Sequence, residues 1–275
     1  MAPPGGNSRS PEKGIFMRKI LLFLLLSGTP VLAQDWARAR LEKSPRHLEW
    51  VQVKAGPREV ECFVAYPEVK GKAPGVVLIH EIFGLTDWVR LVADELAAHG
   101  YVVIVPDLLS QMGPRGGGTA EFGGDDAARK AVGTLKPEQV TLDLHAAAAY
   151  LKKLPASSSE ISVAGFCWGG AQSFRFATTE PGLKRALVFY GSPPEHPEKA
   201  VCPVYGFYAE NDARINQTLD ETEKTMKEAG KTFQPKIYHG ACHGFMRAGA
   251  APDASEGNAR ACQDGWKRML ELLGR

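Results

Sequence analysis

The sequence has no excess of positive charge. Its formal net charge is only +2 over 275 residues. Arg9, Lys13, Arg18 and Lys19 against Glu12 give the first 33 residues +3, so the remainder sits near −1. That leaves no basic patch of the kind nucleic-acid binding requires, and no nucleic-acid partner is expected. The five cysteines, Cys62, Cys167, Cys202, Cys242 and Cys262, form no CxxC pair and show no zinc spacing. No zinc site is therefore expected, and the reading developed below needs no metal and no organic cofactor. An odd count fits one free reactive thiol or a chain without disulfides, and the sequence does not pair the other four. The apolar run ILLFLLLSG that starts at Ile20 falls short of the roughly 20 residues needed to span a bilayer. Internal repeats and domain linkers are absent.

The first 33 residues have their own pattern. MRK at 17–19 precedes the apolar run, and VLA at 31–33 puts small residues where a signal peptidase cleaves. A charged region, a short apolar region and a small-residue site together read as a secretory signal. Residues 1–16 are polar and rich in Gly, Pro and Ser, which makes Met17 an alternative initiator. No cysteine follows the cleavage site and no arginine pair stands in the charged region, so neither a lipid anchor nor a twin-arginine signal is indicated. The expectation is export to the periplasm or the outside, with a mature domain over 34–275 and no stable membrane anchor.

From residue 50 strands and helices alternate. WVQVKA and VECFVAYP read as an antiparallel pair around GPRE. GVVLIHE at 75–81 and YVVIVPD at 101–107 are near-continuous apolar runs, as parallel strands buried on both faces require. The segment between them has helical spacing at Trp88, Val92 and Leu96, with Thr86 as N-cap and Gly100 as stop. Residues 113–127 are so glycine-rich that they read as a long mobile loop. Helices are expected near 137–153, from 169, near 216–229 and near 258–273. Strands are expected at ISVAG, RALVFYG, PVYGFYAE and FQPKIYHG. The pattern is that of one α/β domain, a mostly parallel sheet with helices on both faces.

GFCWGG at 165–170 carries the chemistry. A structural cysteine needs no glycine on either side, whereas a nucleophile on a tight strand-to-helix turn does. Gly165, Cys167 and Gly169 match the nucleophile elbow of the α/β-hydrolase fold, with Cys in place of Ser. The turn places the thiol at a helix N-terminus, where the dipole favours thiolate. That fold orders its triad as nucleophile, acid, histidine. Asp212, ending YAEND, and His243, in HGACHGF, supply the order, each just past a strand end, where ligand chemistry gathers. His239 competes with His243 and ranks below it, and His80 reads as a packed polar residue. The amides of Ile82 and Trp168 are the candidate oxyanion donors. Glu81, just before Ile82, should approach the thiol.

HEIFGL, VPDLL, GFCWGG, FYAEND and CHGFMR, spread over 80–247, together resemble the dienelactone hydrolase family. The resemblance implies a Cys-Asp-His triad of Cys167, Asp212 and His243. It implies that Glu81 interacts with the cysteine at rest and helps deliver the thiolate, and that Arg247 binds a substrate carboxylate. Family members that act on dienelactone carry a second carboxylate-binding arginine after P-D-L. Here Gln111 stands in that place, with Arg115 as the residue that would have to reach inward from the glycine-rich loop. The expected function is hydrolysis of a small-molecule ester or lactone by a monomeric exported enzyme. The alternatives are a thiol-dependent carboxylesterase or acyltransferase acting on envelope or extracellular acyl groups, and a catalytically silent binding module.

Overall fold

A computed structural model describes residues 1–2 and 35–274. Contacts divide the chain into two units, Met1–Val31 and Leu32–Arg275. The stretch read as an export signal lies outside the described residues, its first two positions apart. All that follows concerns the second unit.

The helix α1 (Asp35–Leu41) precedes a hairpin of β1 (Leu48–Ala55) and β2 (Arg58–Ala65). Gly56, at φ +62°, and Pro57 make the turn, and Ala55 pairs with Arg58. Next come β3 (Ala73–Ile79), α2 (Asp87–Ala98), β4 (Val102–Pro106), α3 (Asp125–Val132) and α4 (Pro137–Lys153). The elbow joins β5 (Ser157–Phe166) to α5 (Trp168–Phe176), and β6 (Leu183–Phe189) follows. The chain then forms β7 (Val204–Asn211), α6 (Ala213–Asn216), α7 (Leu219–Glu228) and β8 (Phe233–Cys242), ending in α8 (Phe245–Ala248) and α9 (Glu256–Leu273).

The strands form one eight-stranded sheet in the order β1-β2-β4-β3-β5-β6-β7-β8. β2 runs antiparallel to both neighbours, and from β4 onward every pairing is parallel. The apolar runs are explained by burial on both faces. Along β3, Val76 and Leu78 enter a core with α2 and α9, while Val77 and Ile79 enter a second core with α4 and α5. This alternation is the period-two rule of a pleated strand. The expected fold class is the observed one, the α/β-hydrolase arrangement.

Two local readings differ from what is found. The strand expected over 75–81 stops at Ile79, which pairs with Gly165, so β3 and β5 end level and His80 and Glu81 belong to the connection beyond. The glycine-rich segment 113–127 is tied down rather than structureless. Asp107 accepts from the Thr119 amide at 2.6 Å and the Thr119 hydroxyl at 2.7 Å. Glu121 accepts from the amides of Arg115 and Gly117 at 2.8 and 3.1 Å. A Cβ on Gly118 would fall 2.2 Å from the Asp107 carboxylate, so the glycine is there to let the chain approach. The helix α3 starts within the same segment. No helix among the described residues is long and apolar enough to cross a membrane.

Candidate active site

Cys167 stands between β5 and α5 with φ 56° and ψ −117°, a conformation that costs a non-glycine residue of order 1–3 kcal/mol. Its amide donates to the Phe189 carbonyl at 3.0 Å, pinning the turn to the end of β6. The flanking glycines are steric necessities. A Cβ on Gly165 would lie 2.1 Å from the Gly169 carbonyl oxygen, and one on Gly169 would lie 2.3 Å from that of His80. Both obstacles are backbone, which cannot rotate away. The small-residue pattern in GFCWGG therefore reports close packing of the elbow against the end of β3.

His243 follows β8, and Asp212 sits between β7 and α6. The imidazole Nε2 lies 3.1 Å from Cys167 Sγ, and Nδ1 lies 2.5 Å from Asp212 Oδ2. An ionised carboxylate only accepts, so Nδ1 carries the hydrogen and Nε2 is left to accept from the thiol. Asp212 is buried and His243 partly open. The Cys167 thiol is pushed up to about 11, first by burial and then by the charge of Glu81. The Trp168 amide, Arg214 and Arg247 pull the other way and do not win. The helix N-terminus thus acts as expected, through the Trp168 N–H, but desolvation is the larger effect. At neutral pH Cys167 is therefore a thiol.

Glu81 is 3 % exposed, and its carboxylate accepts from Arg247 Nε at 2.7 Å. Burial raises its pKa, and the charge and hydrogen bond of Arg247 hold it part-way down. Arg247 comes from α8 and lies over the Phe83 ring, 5.2 Å from its centroid. His80 fixes the connection that carries Glu81. Its Nε2 accepts from the Leu108 amide at 3.3 Å, so Nδ1 holds the hydrogen and donates to the Glu81 carbonyl at 2.7 Å. Its ring stacks on Trp168, and burial keeps it neutral by lowering its pKa. The Ile82 amide, outside any helix or strand, makes no hydrogen bond among the described residues. The Trp168 amide opens α5, where no carbonyl of the helix itself is available to it.

The family model described as "Dienelactone hydrolase family" matches residues 60–275. The chain belongs to the dienelactone hydrolase family. A Salmonella typhi protein named "Putative carboxymethylenebutenolidase" is 30% identical over 231 residues, 78% of this chain and 82% of that one. An Escherichia coli K12 protein of the same name is 30% identical over 218 residues, 73% of this chain and 76% of that one. The crystal structure of a "Putative Dienelactone Hydrolase" from Klebsiella pneumoniae superposes with a TM-score of 0.73 at 26% identity, covering 84% of this chain and 99% of that one. This dienelactone hydrolase family member is accordingly a hydrolase.

Other residues singled out in the sequence stand elsewhere. Arg115 does not reach inward. Its side chain is 79% exposed and its Nε lies 3.4 Å from Glu121, which the glycine-rich turn has already drawn close. Gln111 is exposed at φ +62° and makes no side-chain hydrogen bond among the described residues. Neither is brought to the triad. His239 is exposed and bonds Glu210 at 2.9 Å, away from Cys167. All five cysteines are free; Cys62, Cys202 and Cys262 are buried and Cys242 is exposed. No group of three or more His, Cys, Asp or Glu among the described residues could hold a metal ion. A cavity of about 490 Å³ runs beside the connection after β3, lined by Leu85, Thr86, Thr119 and Asp125 among others, and not by Cys167.

One residue of the site was missed in the sequence. Tyr190, just past β6, is 1 % exposed, its hydroxyl has no hydrogen-bond partner among the described residues, and its ring stands edge-on to His243 with centroids 5.0 Å apart. Only its place after a strand end, in FYG, offered a signal.

Proposed function

We propose that this protein is an exported, monomeric hydrolase of small esters or lactones that works through an acyl-enzyme on Cys167. The carrying observation is the unbroken line from Asp212 through His243 to the thiol. At rest Arg247 holds Glu81, and the thiol keeps its proton. A substrate carboxylate that engages Arg247 releases Glu81, which takes the thiol proton. The thiolate attacks the carbonyl carbon, and the amides of Ile82 and Trp168 hold the oxyanion. The C–O bond breaks, and the leaving oxygen takes the proton from Glu81. His243 then removes a proton from water, which attacks the thioester, and the imidazolium returns that proton to the departing sulfur. With a neutral ester Arg247 keeps Glu81, and His243 must take the thiol proton itself.

Turnover of a panel of small esters and lactones by purified protein tests the reaction class; no activity on any of them would overturn it. The charge preference is tested with phenyl hydrogen succinate against phenyl acetate. One charged hydrogen-bonded contact is worth about 1.5–3 kcal/mol, roughly ten- to a hundredfold in kcat/KM. The ratio of the two esters should fall by that factor in Arg247→Ala. A mutant that keeps a strong anionic preference would show that Arg247 is not the anchor.

Export rests on the basic, apolar and small-residue order of residues 17–33. N-terminal sequencing of secreted material should begin at Gln34 or within a few residues of it. Full-length protein retained in the cytoplasm of the native host would contradict export.

A further inference from the structure

Two cations act on the Cys167 thiol, and only one of them is occupied. Arg247 is held by Glu81 at the end of β3 and feels the charge of Asp125 as well. Arg214 is exposed and, among the described residues, its guanidinium is in no ion pair and no hydrogen bond. Its backbone is nevertheless fixed. Asp212 caps α6, and its carbonyl accepts from the amides of Ile215 and Asn216 at 3.0 and 2.9 Å. The Asn216 side-chain amide donates to the Ala209 carbonyl at 2.9 Å, tying the turn to β7. Two residues of helical rise, about 3 Å, separate Arg214 from the aspartate that orients His243.

The sheet order puts these cations on different sides of the nucleophile. Cys167 follows β5, with β3 on one side and β6 then β7 on the other. Arg247 is anchored at the β3 end, and Arg214 starts at the β7 end. Arg247 is rooted on α8, after β8, but its guanidinium is held at Glu81. At about 4.8 Å per strand spacing the β3 and β7 ends are roughly 14 Å apart, which sets that guanidinium well away from the backbone of Arg214. The charge of Arg214 still reaches the thiol and favours its ionisation. An anion at Arg247 must displace Glu81, whereas an anion at Arg214 displaces only water.

We propose that Arg214 is a second anion anchor, across Cys167 from Arg247, and that the preferred esters or lactones carry two anionic groups, one on each side of the reacting carbonyl. The proposal rests on the thiol-hydrolase reading above. Four esters test it: phenyl acetate, phenyl hydrogen succinate, 4-carboxyphenyl acetate and 4-carboxyphenyl hydrogen succinate. The wild type should favour the dianionic ester over the better monoanionic one by about tenfold in kcat/KM at low salt, a single charged contact's worth. Arg214→Gln should remove that factor, mainly through KM, and Arg214→Lys should restore part of it. A loss equal on all four esters would mean that Arg214 acts only on the thiol, and no loss would mean that it is solvated surface; either overturns the proposal. A second readout does not need ester turnover. The rate of Cys167 alkylation by iodoacetate relative to iodoacetamide, followed by mass spectrometry, should fall severalfold in Arg214→Gln. An unchanged ratio overturns the anchor even if no ester is hydrolysed, whereas absence of hydrolysis with a changed ratio overturns only the hydrolase reading.

Discussion

Replacing Cys167 by alanine should lower kcat on any accepted ester by roughly 10⁴–10⁶-fold, the scale seen when a triad nucleophile is removed. The proposed reaction has no second route to an acyl-enzyme. Cys62, Cys202 and Cys262 are buried, and the last donates its S–H to the Met246 carbonyl. Cys242 is exposed and has no contact with the triad imidazole comparable to the 3.1 Å approach of Cys167. Brief exposure to an activated ester, followed by peptide mass analysis, should place the acyl group on Cys167. Wild-type rates in Cys167→Ala, or an acyl group on another cysteine, would end the assignment. Cys167→Ser should also be nearly inactive, because a hydroxyl ionises far less readily than a thiol in the same buried place.

The same thiol makes a pH prediction whose sign follows from its surroundings. Burial and the Glu81 charge push it up to about 11, so at neutral pH it is overwhelmingly protonated. Its alkylation by a neutral reagent such as iodoacetamide should then rise about tenfold per pH unit through pH 8 and 9 and level off near 11. Glu81→Gln removes the negative charge that raises the thiol and should move the plateau to lower pH. A plateau near pH 6 in the wild type would mean that the resting nucleophile is a thiolate, and that burial had been outweighed.

The parts of the site that were legible in the sequence are those fixed by covalent order or by steric demand. Gly165 and Gly169 must be small because backbone carbonyls lie where a Cβ would go, and that demand shows in a six-residue stretch. Asp212 and His243 were legible because the parallel sheet forces them to follow strands, in a fixed order after Cys167. Contacts set by side-chain direction were not legible. Arg115 lies in the right segment, but Glu121 turns it outward, and nothing in PDLLSQMGPR encodes that choice. The glycine-rich segment read as loose because glycine count carries no information about Asp107 and Glu121, the carboxylates that gather its amides. The protonation state of Cys167 needed the three-dimensional balance of burial against the Trp168 amide and the two arginines. The open hydroxyl of Tyr190 is likewise a statement about what surrounds a group, which a one-dimensional pattern does not hold.

Loss of either partner of the thiol should come next in size, and the pair of losses separates their roles. His243→Ala removes the group that, in the proposed mechanism, accepts the thiol proton with neutral esters and activates water in deacylation. A fall of roughly 10²–10⁴-fold in kcat is expected, the usual scale of general acid–base catalysis. Because anionic esters have Glu81 for the first proton transfer, their acylation should suffer less than their deacylation. His243→Ala should therefore accumulate a stable Cys167 thioester with phenyl hydrogen succinate, visible as a burst of about one phenol per enzyme followed by very slow turnover. Asp212→Asn should keep the fold and still cost on the order of 10⁴-fold in kcat, the scale found when a triad aspartate is changed. The carboxylate at 2.5 Å now compels Nδ1 to carry the hydrogen and leaves Nε2 free to accept from Sγ. An amide in its place can present its NH₂ to Nδ1, which moves the hydrogen to Nε2 and removes the acceptor facing the thiol. If His239→Ala were the crippling change and His243→Ala harmless, the line from Asp212 to Cys167 would not be the catalytic one.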